Sequence, residues 1–300
     1  MSAPQITFAI PFYGKVDFLD RALASLLAQD FGDWRAIVVD DCSPTDEARR
    51  LVESLADGRI EYLRNERNLG LAGNWNRCVQ LARTPLVTLL HGDDELMPHY
   101  ARQMVDAHRR WPDAAAVFCA AAIIDAKGRP MFSFRDHVKR WLLPAAREPF
   151  VLEGQAGVSS LLRGNFIMCP TLCYKRRIFE ALDFSARWRM VLDVDFYLRA
   201  LMQGLRLVGI PEVAYRYRRH SEQATAEAER NLRIFTEEIA LWHETADQAR
   251  TRGWQTSERL ARRMHIIKLQ LLYYIAGDIL KLRLESAGKK LGLLAGLYKP

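Results

Sequence analysis

The sequence predicts an α/β fold: a mostly parallel, Rossmann-like sheet flanked by helices, followed by a C-terminal helical appendage. Three observations carry that expectation. Short apolar runs alternate with stretches of helical periodicity through residues 1–124. Two of those runs end in paired carboxylates, Asp40-Asp41 and Asp93-Asp94, and open α/β sheets bind ligands beyond the carboxyl ends of their strands. After residue 220 the strand signals stop and long helical patterns take over.

The elements follow in order. Ile6 to Pro11 is an apolar strand, and Val16, Leu19, Leu23, Leu26 and Leu27 recur at helical spacing after it. Arg35 to Val39 is a second strand, followed by a helix marked by Ala48, Leu51, Val52 and Leu55. Ile60 to Leu63 is a short strand, and Ala72, Trp75, Val79 and Ala82 mark a third helix. Leu86 to Leu90 reads as a buried strand, Pro98 as the opening of another helix, and Ala114 to Ala120 as the strand that closes the series. From about Asp125 to Pro149 the pattern breaks at Pro130, Pro144 and Pro149, which predicts an irregular connection. Beyond it, Thr171 to Tyr174 reads as a strand and Asp193 to Met202 as a helix. Arg206 to Ile210 and Val213 to Tyr217 read as two short strands. The expected division is a domain over 1–220, with halves 1–124 and 125–220, and a helical extension over 221–300 that breaks near Gly253.

The 300 residues, 49% hydrophobic and 26% charged, supply core enough for this plan. Five cysteines (Cys42, Cys78, Cys119, Cys169, Cys173), with no Cys-x-x-Cys pair, argue against a disulfide framework or a structural zinc site. They fit a reducing compartment, and the expected location is cytoplasmic. The start of the chain lacks basic residues before an apolar stretch, so no leader is expected. The longest apolar stretch near the C-terminus, Leu271 to Gly277, falls far short of the ~20 residues that cross a bilayer.

The charge is unevenly placed. From Arg259 onward nine basic residues face only Asp278 and Glu285, which equals the whole net charge of +7. The rest is neutral, and no nucleic-acid partner is expected. Ile266, Ile267, Leu271, Tyr274, Ile275, Ile279, Leu282 and Leu284 lie among these cations. Such a segment suits contact with an anionic membrane surface, and equally packing on the domain or on a partner chain. Since no motif lies beyond His220, a cut near Ser257 is expected to spare the site.

No G-x-G-x-x-G follows the first strand and no G-x-x-x-x-G-K-[ST] occurs, which disfavours a dinucleotide oxidoreductase and a P-loop phosphotransferase. The first strand instead turns through Pro11-Phe12-Tyr13-Gly14. Two uses of Tyr13 stand open: stacking on a base, or packing on the sheet edge. The two carboxylate pairs offer hard oxygen donors that suit Mg²⁺ or Mn²⁺ carrying a diphosphate. Their other use is to cap the helices that follow.

Four segments follow one another at the ends of alternating strands: Ile10-Pro11-Phe12-Tyr13, Val39-Asp40-Asp41-Cys42-Ser43, Asn68-Leu69-Gly70 with Asn76, and Gly92-Asp93-Asp94. In this order they resemble the family-two inverting glycosyltransferases of GT-A fold, over about residues 4–220. The resemblance implies a nucleotide-sugar donor, UDP-linked, held by Pro11, Tyr13, Asp40, Asp41, Asn68, Asn76, Gly92 and Asp93. It implies a divalent cation, Mn²⁺ or Mg²⁺, on Asp93, with His91 and His220 as further ligands. His91 stands where the family's metal motif has its first Asp, and imidazole suits Mn²⁺ better than Mg²⁺.

The catalytic base implied by the resemblance is Asp193, in Leu192-Asp193-Val194-Asp195, with Leu192 in place of the usual Glu. The chemistry needs such a group, because an acceptor hydroxyl is a poor nucleophile until a positioned carboxylate takes its proton. Asp193 also fits an N-cap, and Asp195 reads as structural. Tyr215 to Ser221 resembles the family's late Arg-x-x-His-Ser loop, where Arg218 or Arg219 would offset diphosphate charge. Gly164-Asn165-Phe166 resembles its acceptor-side segment. The implied acceptor is a saccharide or a lipid-linked saccharide, and the implied location is cytoplasmic or peripheral at the inner membrane face. Two rivals remain at this point. One is a catalytically silent nucleotide-sugar-binding protein. The other is a sugar nucleotidyltransferase, which would more naturally carry a glycine-rich basic loop after the first strand.

Overall fold

The computed structural model describes residues 3–132, 148–220 and 232–298. Pro144, Ser221, Lys299 and the expected boundary at 220/221, followed by 221–231, fall on or against residues outside that description. The first four strands are the apolar runs: β1 (Ile6–Phe12), β2 (Trp34–Asp40), β3 (Ile60–Arg64) and β4 (Leu86–Leu89). The connecting helices are α1 (Leu19–Leu27), α2 (Glu47–Leu55) and α3 (Gly70–Leu81). These strands pair in parallel in the order β3-β2-β1-β4. The chain therefore starts in the middle, runs outward to β3, and returns to the other side of β1. That reversal opens a crevice beyond the carboxyl ends of β1 and β4.

The second half extends the same sheet. It contributes β5 (Glu95–Leu96), α4 (Tyr100–Arg110), β6 (Ala114–Ile124), β7 (Phe150–Leu152), α5 (Gly154–Arg163), β8 (Leu172–Lys175), α6 (Leu192–Met202) and β9 (Arg206–Arg218). The full order is β3-β2-β1-β4-β8-β6-β9-β5, with β7 also on β9. β8 runs antiparallel between β4 and β6, while β6 and β9 are parallel. The strands β1 to β4, β6 and β9 thus share one direction, and β5, β7 and β8 oppose them.

The later strand β8 is inserted between β4 and β6. Two expectations need correction. The two short strands at 206–217 are one strand, β9. Its register against β6 jumps from Phe118↔Gly209 to Ala120↔Val213, so the break seen in the sequence is a bulge around Pro211, which has no N–H to give the ladder. Pro98 lies outside α4, which begins at Tyr100.

Helices cover both faces. One core joins the sheet to α1, α2 and α4. The other joins it to α3, α5, α6 and four C-terminal helices: α7 (Arg233–Thr251), α8 (Gln255–Arg263), α9 (His265–Leu280) and α10 (Leu284–Gly296). The expected break at Gly253 is present at φ +70°. Ala261, Met264, Ile267, Leu271, Ile275, Ala287 and Leu294 share this second core with Val87, Leu161 and Phe196. Ser257 is buried, bonded to the Ser159 hydroxyl at 2.9 Å and to the Gln155 carbonyl at 3.2 Å. A cut at Ser257 would therefore open the core, although every motif lies before it. Of the apolar tail residues, Ile267, Leu271 and Ile275 are spent on the core, while Ile279, Leu282 and Leu284 are exposed. No helix among the described residues is long and apolar enough to cross a membrane.

Candidate active site

The strand order brings three of the sequence motifs together. β1 lies between β2 and β4, so Pro11 to Tyr13 sits between the two acidic doublets. The turn after β1 is tied to the turn after β2: Gly14, at φ +97°, donates its N–H to the Ser43 hydroxyl at 3.0 Å. A side chain at that φ would be strained, so glycine suits this turn. The Tyr13 ring is 63% exposed. It does not pack on the sheet edge, and its face is open to a ligand.

The first doublet is turned inward. Asp40 is buried and accepts from the Ser43 N–H at 2.8 Å and the Tyr62 hydroxyl at 2.5 Å. Burial, then that hydrogen bond and the Asp40 charge, push the Tyr62 phenol up to about 12. Asp41 is also buried. It accepts from the Asn65 amide at 2.9 Å, the Leu69 N–H at 2.8 Å and the Gly70 N–H at 2.9 Å. These last two are orphan donors at the start of α3, so Asp41 caps that helix from the neighbouring strand. Asn68 is exposed and accepts from Gly70 at 3.0 Å. Asn76 points elsewhere. Its amide donates to the Phe184 carbonyl and accepts from the Phe184 N–H, both at 2.8 Å. It clamps the segment before α6 to α3, so we drop it from the nucleotide-contacting set.

The second doublet is split. Asp94 is buried and accepts from the Arg218 N–H at 2.7 Å and the Tyr215 hydroxyl at 3.0 Å. Burial, reinforced by the Asp93 charge, pushes its carboxyl well above the usual carboxylate range. Asp93 keeps 30% of its side chain exposed and accepts from His220 Nε2 at 3.0 Å. Burial opposes its charge, but the His220 hydrogen bond and the charges of His91 and His220 hold it below the usual range.

His91 lies against the Trp75 ring at 5.4 Å, and its buried Nε2 has no hydrogen-bond partner. Burial lowers its pKa, against the pull of Asp93, which keeps the imidazole in the neutral form that ligates metals. His91, Asp93 and Asp94 each offer a ligand atom, all within 4.8 Å of one another. Asp94 is already bonded to Arg218 and Tyr215, which leaves Asp93 and His91 as the open members of this group, with His220 on the far side of Asp93 at 3.0 Å. An orphaned buried imidazole nitrogen beside an open carboxylate suits a divalent metal, and this mixed set suits Mn²⁺ better than Mg²⁺. Gly92 sits in the turn between them. A Cβ there would meet Ile10, Phe12 and Leu19 at 3.8 Å, an ordinary contact.

The end of β9 holds this doublet in place through β5, where Glu95 pairs with Arg216 in the ladder. Arg218 is fully buried. It donates to the Asp93 and Asp125 carbonyls at 2.7 and 3.0 Å, pairs with Glu95, and lies 4.9 Å from the Phe18 ring. Its guanidinium is spent on the loops, which removes it as a diphosphate ligand. Arg219 lies 4.8 Å over the Tyr217 ring.

Asp193 lies in the first turn of α6, and Asp195 is buried in an ion pair with Arg199 at 2.7 Å. Leu192, where the resemblance expects Glu, is a core residue. A row of rings joins this helix to the doublet: His91 to Trp75, Trp75 to Phe184 at 5.1 Å, and Phe184 stacked on Phe196 at 4.8 Å. The tail also reaches the helix. Glu237 on α7 accepts the Arg189 and Met190 N–H groups at 2.9 and 2.7 Å, just before α6. Sequence reasoning missed Glu237 and Glu95, and marked Tyr215 only as the start of the late loop, since their partners are distant in the chain.

Residues 7–181 match Glycosyl transferase family 2. The succinoglycan biosynthesis protein ExoO of Rhizobium meliloti is 29% identical over 221 residues, 71% of this chain, and the chain spans 60% of that protein's length. TarS of S. aureus, solved with UDP-GlcNAc, aligns over 98% of this chain and 82% of its own, at TM-score 0.65 and 15% identity. The mannosyltransferase PcManGT from Pyrobaculum calidifontis, solved with GDP-Man and Mn²⁺, aligns over 100% and 82%, at TM-score 0.60 and 17% identity. The structural neighbours speak for the fold, and the matched residues run from β1 through both doublets to the strand that separates β4 from β6. On that match, the chain belongs to glycosyl transferase family 2.

Proposed function

We propose that the chain is a metal-dependent, inverting glycosyltransferase. It moves a sugar from a nucleotide-linked donor, UDP-linked in our reading, to a hydroxyl of a saccharide or lipid-linked saccharide. The observation that carries this reading is the split second doublet: an open Asp93 carboxylate beside the orphaned nitrogen of His91. Asp93, His91 and His220 would hold the cation, which when bound would neutralise the donor diphosphate. Pro11, Tyr13 and Gly92 line the crevice at the ends of β1 and β4, with the Tyr13 ring available to the base. Asp41 and Asn68 fix the loop that enters α3 beside the nucleotide, and Asp40 fixes the turn at Ser43. Asp193 takes the proton of the acceptor hydroxyl as it attacks from the face opposite the leaving diphosphate, which inverts the anomeric centre. The five free cysteines fit a reducing compartment, and we place the reaction at the cytoplasmic side of a membrane.

The test is calorimetry with UDP-sugars and GDP-mannose, with and without Mn²⁺. Wild type should bind one donor in a metal-dependent way. Asp93→Ala should weaken that binding by at least ~100-fold, more than the loss of an outer-sphere partner would. Unchanged affinity in the variant overturns the assignment. Donor binding with neither hydrolysis nor transfer would favour the silent binding protein, for which Leu192 speaks.

A further inference from the structure

The last helices carry a feature that the donor chemistry does not use. α9 has two apolar stripes. Ile267, Leu271 and Ile275 face the core, while Leu269, Leu272, Tyr273 and Ile279 recur on the opposite side and lie exposed. A surface helix ordinarily turns polar and charged residues outward, so an outward apolar stripe is unusual.

The turn after α9 is more exposed still. Leu280-Lys281-Leu282-Arg283-Leu284 alternates leucine with cation, and its leucines are 85, 84 and 67% exposed. Leu282 adopts φ +56°, just past the helix end, where glycine is the usual residue. Other helix ends show how this chain otherwise handles that conformation: Ala56 follows α2 at φ +49° with only a methyl group, and Gly204 follows α6 at φ +81°. Gly253 follows α7 at φ +70°, free of strain. Met264 ends α8 at φ +49°, but its side chain is 2% exposed and anchored in the core. Leu282 has the strained backbone of Met264 without its buried contact. Leu282 is the large apolar side chain among these ends that stays exposed.

We propose that Leu280, Leu282 and Leu284 form an insertion tip that seats the chain on an anionic lipid bilayer, with Lys281 and Arg283 against the headgroups. The charge pattern selects this occupant. Protein interface cores are depleted in lysine, whereas interfacial membrane segments interleave apolar and basic residues. The acidic residues nearby are already paired, Asp278 with Lys290 and Ser286, and Glu285 with Lys289. The outward charge of the tip is therefore positive. This inference stands apart from the donor chemistry.

Co-sedimentation of the full chain with vesicles tests it. Wild type should pellet with phosphatidylcholine vesicles containing phosphatidylglycerol, and less with phosphatidylcholine alone. Leu280→Ser/Leu282→Ser/Leu284→Ser should lower the partition coefficient at least ~tenfold, given the value of each buried leucine. Lys281→Glu/Arg283→Glu should lower it about as much on anionic vesicles at low salt, with little effect on neutral ones. Thermal melts and donor calorimetry should match wild type for both variants, since these side chains point outward. Wild type remaining in the supernatant with anionic vesicles overturns the proposal, as does equal pelleting of the leucine variant. A wild-type dimer that the leucine variant breaks, without vesicle binding, also overturns it and assigns the face to a second copy. Vesicle binding by a protein that binds no donor would leave this proposal standing and sink the donor reading alone.

Discussion

Two acidic doublets end two strands that flank β1, and the molecule uses them in different ways. At the end of β2, Asp40 and Asp41 are both buried and together accept five hydrogen bonds from the chain itself. At the end of β4 only Asp94 is spent in this way, and Asp93 stays at the surface facing His220. The same division recurs on α6, where Asp195 is locked to Arg199 and Asp193 stands at the helix start. The first doublet therefore does one job, satisfying N–H and O–H groups that would otherwise be orphaned, while the second keeps one carboxylate for that job and leaves the other at the surface.

The comparison breaks most sharply on α6. Asp193→Asn keeps the shape of the side chain and removes the base. Turnover should fall by about 10²–10⁴ with donor affinity within a few-fold. Asp195→Asn should instead lower stability through the Arg199 pair and leave the rate closer to wild type. Steady-state kinetics with calorimetry on both variants decides the matter. A normal rate in Asp193→Asn moves the base elsewhere.

A smaller effect separates the two strand-end doublets. Asp41→Ala strands the Asn65 amide and the Leu69 and Gly70 N–H groups, and should cost about 3 kcal/mol in urea unfolding. Asp93→Ala removes one hydrogen bond, to a partly buried His220, and should cost about 1 kcal/mol in metal-free protein. If Asp41→Ala proves as mild as Asp93→Ala, the first doublet is not the structural one.

Much of this frame was legible in the chain. The runs that became β1, β2 and β4 are apolar because both faces of a parallel strand are covered, so their signal is local. The insertion of β8 between β4 and β6 was not legible, because pairing between distant strands leaves no local trace. The bulge of β9 looked like a gap between strands, since Pro211 interrupts the apolar run. At the site, position was readable and partnership was not. The sequence places Asp41 at a strand end, but its helix-capping bonds come from residues more than 20 positions on. Nor does it tell that Arg218 spends its guanidinium inside while Tyr13 keeps its ring outside.

The smallest effect lies within the second doublet, where the two carboxyls are shifted in opposite directions. Asp93 is held below the usual range. Its contribution to stability is therefore present above the unfolded pKa of about 3.9 and is lost as pH falls through the lowered folded value. Asp94 is pushed above that range by burial and by Asp93. Its contribution is present below about pH 3.9 and is lost as pH rises through the raised folded value. Asn at either position removes one of the two titrations. In metal-free protein, the stability of wild type relative to Asp93→Asn should decline as the solution is acidified below about pH 4. Relative to Asp94→Asn it should decline as pH rises from about 4 toward neutrality, by at most about 1.4 kcal/mol per pH unit. Thermal melts of the three proteins across this range give the two slopes. Opposite signs support one sealed and one open carboxyl. Slopes of the same sign would mean that Asp94 is ionised against Arg218, and that the two members of the doublet are more alike than their burial suggests.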